Sequence, residues 1–115
     1  MPHVIREGKV DLQAAWQHLR MGPWHWGGSV ARVEACFLGR DGVSLLVAGV
    51  VIEFGRPLHP HVLVSVRDTD TAVRLWPPVA VERTEPIKRF VVQIARELEP
   101  FGAGPVITTN LQGII

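Results

Sequence analysis

The sequence predicts an α+β fold, a two-layer sandwich with two helices on one face of an antiparallel sheet of four to five strands. Three observations carry that expectation. Two segments place apolar residues three and four apart, the segments between residues 29 and 76 alternate with a period of two, and short turns join consecutive strands. Two one-sided helices must then cover the apolar face of the sheet. The predicted order is helix, four strands, helix and a last strand, in a single domain over residues 1–115.

The first helix is expected over residues 11–20. Asp11 suits the N-cap, and Leu12, Ala15, Trp16 and Leu19 form one stripe before Gly22-Pro23 ends it. From Ser29, the residues Ala31, Val33, Ala35 and Phe37 alternate with Arg32, Glu34 and Cys36, giving a strand with one wet face. Gly39-Arg40-Asp41-Gly42 is turn chemistry. Residues 43–54 form a long strand, apolar on both faces and therefore central, in which Gly49 marks a bulge or the close approach of a helix.

Residues 55–60 are expected to be a loop. Residues 61–67 alternate again through Val62, Val64 and Val66; residues 68–71 are a turn, and 72–76 a fourth strand closed by Pro77-Pro78. Thr84 caps the second helix, whose stripe is Ile87, Val91, Ile94, Ala95 and Leu98, widened by Phe90. Residues 106–109 are the candidate last strand, before an uncharged tail over 111–115.

Composition narrows the functional classes. A net charge of +1 provides no global field for a polyanion or an anionic membrane. All the basic residues are Arg except Lys9 and Lys88. With one cysteine there is no intramolecular disulfide, and Cys36 is expected as a small buried apolar residue. No basic-then-apolar leader pattern opens the chain and no apolar run approaches bilayer length, so the expected location is cytoplasmic. A hydrophobic fraction of 47% in 115 residues leaves apolar side chains over for the surface, which favours self-association.

Four groups of residues could carry chemistry. Trp24-His25-Trp26 can build an aromatic wall or a partner anchor, or pack its indoles over the sheet where the first helix enters it. His59 and His61, two apart, could share one metal ion if His25 or Glu53 completed the set. Arg32, Arg67, Arg74 and Trp76 on a wet sheet face resemble in type the arginine and aromatic platforms that bind single-stranded nucleic acid. Asp68 and Asp70 could be paired carboxylates, but Asp-Thr-Asp-Thr is also ordinary turn composition. No nucleophile motif, phosphate loop or cofactor signature is present, so the residues specify no catalytic group and no cofactor.

The leading expectation is therefore a non-enzymatic module that oligomerises or docks on a protein partner, with the tail over 111–115 able to pair with another subunit's sheet edge. The alternatives are a single-stranded nucleic-acid binder using the Arg/Trp face, and a small-molecule or metal site built from the Trp24–Trp26 and His59/His61 loops. That last reading requires the two loops to meet at one end of the sheet.

Overall fold

In the computed structural model, which describes residues 1–114, eight strands and two helices follow one another along the chain. They are β1 (His3–Glu7), α1 (Leu12–His18), β2 (Trp24–Trp26), β3 (Ser29–Leu38), β4 (Ser44–Glu53), β5 (Arg56–Leu58), β6 (His61–Val66), β7 (Asp70–Leu75), α2 (Glu85–Glu97) and β8 (Val106–Thr109), with a 3-10 turn, Glu99–Phe101, before β8. The strands form one antiparallel sheet in the order β2-β3-β4-β6-β7-β1-β8, with β5 also on β4. The class is thus α+β, but the expected four to five strands in a two-layer sandwich are replaced by eight strands curled into a half-barrel.

The three additional strands have different origins. β1 hides because Arg6 occupies one of its inward positions, so its period shows no apolar alternation. β2 is a three-residue hairpin partner of β3, with Gly27-Gly28 as the two-residue turn. β5 occupies the segment expected to be a loop. It joins β4 through Phe54-Gly55, whose φ angles of 50° and 77° are those of a two-residue turn with both central residues left-handed. β5 and β6 then continue one register along β4: Val51 faces Leu58, and Ala48 faces His61. Between them Gly49 N–H still donates to Pro60 O at 2.9 Å, and only the donor that Pro60 lacks interrupts the ladder.

Both helices are capped where the sequence expects. Asp11 accepts from Ala14 N–H at 3.1 Å, and Thr84 Oγ1 accepts from Ile87 N–H at 3.4 Å. Leu12, Ala15 and Leu19 of the first segment and Ile87, Phe90, Val91, Ile94 and Leu98 of the second join one core with Val4, Leu45, Val47, Val51, Val62, Val64 and Val73 of the sheet. Trp16, expected in the first stripe, instead stands 45% exposed. Gly49 marks close packing against a helix: a Cβ there would run into the Phe90 ring.

A register shift between Val33 and Ala35 reverses the phase of β3. Ala31 and Val33 face the helices, as expected. Beyond the shift Cys36 and Leu38 take the inner side, and Phe37, expected with Ala31 and Val33, turns outward to 56% exposure. Burial pushes the Cys36 thiol pKa up from its ordinary value.

Candidate functional site

The sheet separates the residues that the sequence grouped together. On β2, side chains alternate between faces, so Trp24 and Trp26 point to the helix side and His25 to the other. Trp24 is buried and meets Phe90 of α2 edge-on, ring centroids 6.4 Å apart; its indole N–H finds no acceptor among the described residues. Trp26 is only partly buried and packs at the margin of the core.

The turn after Trp26 and the turn after Glu53 do lie at one end of the sheet. Trp26 faces Ser29 across the ladder, Ser29 faces Glu53, and Glu53 faces Arg56. The two histidines of the next segment lie elsewhere. His59 and His61 alternate with inward Leu58, Pro60 and Val62, so they share the outer face. There His59 Nδ1 lies 3.5 Å from Glu34 Oε1, while His61 stacks at a tilt on Trp76, centroids 6.4 Å apart. Among the described residues no group of three or more His, Cys, Asp and Glu is placed to hold a metal ion.

The arginines do not form one continuous track. Arg32 sits on the outer face of β3, 3.9 Å from Glu34. Arg74, on β7, follows Leu46 and Leu63 in the same cross-strand row, so apolar side chains separate it from the Arg32 side. Arg67 closes the turn into β7: its N–H donates to Asp70 O at 2.8 Å and its side chain pairs with the Asp70 carboxylate. Asp70 therefore opens β7 opposite Glu7 and pairs with Arg67, although the sequence places it in a turn over 68–71.

The outer face itself is the feature that the sequence did not isolate. Phe37, Leu46 and Leu63 lie side by side across β3, β4 and β6. Ala35 and Ala48 fill the next row, with Ile52 (40% exposed) farther along β4. Both helices belong to the core on the opposite side. The alternation rule could have found this row only with the β3 register shift known, since Phe37 otherwise counts as core.

The expected free tail is engaged within the chain. Leu111 is 5% exposed in the core cluster and Ile114 packs against it, while Ile115 lies outside the described residues. Among the described residues no helix is long and apolar enough to cross a membrane. Comparison with protein-family models, curated proteins and solved structures finds no match to the chain.

Proposed function

We propose that the chain is a non-enzymatic interaction module that pairs with a second copy of itself through the outer face of its sheet. The observation behind this reading is the row of exposed Phe37 and half-buried Leu46 and Leu63, which neither helix covers, with alanines beside it. Large apolar side chains grouped on an uncovered face are the mark of an interaction surface. The rim carries both signs, Glu34 beside Arg32 and with Arg74 across the row, so a two-fold arrangement can set unlike charges opposite each other.

Size sets the expected strength. Three strands about 4.8 Å apart and about five residues of strand length describe a patch of roughly 240 Å². A standard stable interface covers about 800 Å² per partner, so the pairing is weak and concentration-dependent.

Sedimentation velocity over a hundredfold range of concentration tests this directly. The wild-type chain should move from monomer toward dimer, and the Phe37→Glu/Leu63→Glu double variant should stay monomeric with an unchanged circular-dichroism spectrum. A wild-type monomer at every concentration, or a variant that dimerises equally well, overturns the reading.

A further inference from the structure

The opposite face holds a cavity of about 590 Å³ at the end of the sheet where the two hairpin turns meet. It is lined by Trp26, Ser29, Glu53, Phe54, Glu85 and Arg89. The floor is the row Trp26, Ser29 and Glu53; the first turn of α2 forms one wall and Phe54 stands at the mouth. Such a volume lies within the usual range for small-molecule sites.

The chemistry of the cavity centres on Glu53. Its residue is 8% exposed, yet among the described residues its carboxylate accepts a single side-chain hydrogen bond, from Thr84 Oγ1 to Oε2, and forms no ion pair. Arg56, its cross-strand neighbour, is turned to Glu82 at 3.0 Å, and Arg89 to Glu85 at 3.1 Å. Burying a carboxylate with no cation in direct contact is unfavourable, and Arg56, paired with Glu82, acts on Glu53 only through space. The N-terminus of α2 offsets part of that charge, about half an elementary unit. The remainder, on Oε1, which has no donor among the described residues, faces a space large enough for a ligand.

The walls match the same occupant. Trp26 offers an indole at one side, and the faces of aromatic rings attract cations. Phe54 is 97% exposed and occupies a left-handed turn position, φ 50°, where asparagine or glycine is favoured. A fully exposed aromatic held in an unfavourable backbone conformation serves neither the turn nor the core, and strain of that kind clusters at ligand sites.

We infer that this cavity binds a cationic head group, an ammonium or guanidinium, on an aliphatic stem. The head meets the free oxygen of Glu53 and the stem lies between Trp26 and Phe54. Free amines and the lysine side chain of a peptide share this chemistry. The inference is independent of pairing through the outer face, which lies on the other side of the sheet.

The test is an NMR titration that follows the Trp26 indole resonance, assigned through Trp26→Phe. The probes are n-hexylammonium, Nα-acetyl-lysine amide, and neutral n-hexanol as the control. Saturable shifts with either cation, at least about tenfold tighter than with hexanol, are expected. Glu53→Gln should remove that preference, and Phe54→Asn, which suits the turn, should weaken binding while leaving the fold intact. Response to hexylammonium alone would assign the site to free amines, and response to the lysine amide alone to peptide side chains; both outcomes support the cation site. No saturable shift with either cation, equal affinity for hexanol, or an unchanged response in Phe54→Asn overturns it.

Discussion

Single residues in this chain are set by neighbours far away in sequence. Gly49 is required because Phe90, wholly buried, lies where a Cβ would be. Gly49→Ala should lower stability by about 1–3 kcal/mol in urea unfolding, the usual penalty for an overpacked core. Phe90→Leu in the same chain should recover part of that loss, because the two positions are in contact. Phe54 is the converse case. Phe54→Asn relieves a left-handed aromatic and should raise stability by about 1 kcal/mol in the same measurement. Cys36 is tied to its inward position after the β3 register shift, where burial raises its thiol pKa. Alkylation at pH 8 should be slower than for a free thiol and accelerate on unfolding. Above the ordinary thiol value the unfolded chain loses its proton first, so this group's contribution to stability falls as pH rises.

At the scale of elements, Arg6 holds three segments together. It is 8% exposed on β1, and its guanidinium donates to Ala95 O and Gly104 O, both at 2.7 Å, and to Glu99 Oε1 at 3.4 Å. Ala95 lies in the last turn of α2, where carbonyls lack helical partners. One planar fork thereby fastens β1 to the end of α2 and to the loop before β8. Arg6→Ala should lower stability by about 3 kcal/mol, since buried carbonyls lose a charged donor. Arg6→Lys should recover little of it, because an ammonium cannot reproduce the fork. Urea midpoints of the two variants decide the point. Nothing local in the sequence singles out Arg6, because its carbonyl partners on Ala95 and Gly104 lie 89 and 98 residues away.

The whole molecule has two unlike faces. The inner one is covered by both helices and closes over the core, leaving a cavity where the hairpin turns meet. The outer one is uncovered and carries the apolar row across β3, β4 and β6. If the outer row forms the pairing surface, raising ionic strength should leave the dimer largely intact, because apolar burial dominates and only the rim charges are screened. Sedimentation at low and high salt checks this, and dissociation by salt would instead place the contact on Arg32, Glu34 and Arg74. The two proposals are separable: Phe37→Glu should change assembly alone, and Glu53→Gln should change ligand response alone.

The sequence by itself determined the features written in short-range pattern. Both helix caps, the α2 stripe, the alternation of β6 and β7 and the antiparallel turns follow from spacing and local backbone chemistry. Tertiary structure alone decided the rest. The split of Trp24 and Trp26 from His25, the turning of His59 and His61 to the outer face, and the outward phase of Phe37 depend on which strand lies alongside. So do the added strands β1, β2 and β5, which are too short or too polar to show a period and exist because an adjacent strand supplies their hydrogen bonds. The physical reason is the same throughout: periodicity records which way a side chain points relative to its own segment, whereas register shifts and long-range pairing fix what it meets.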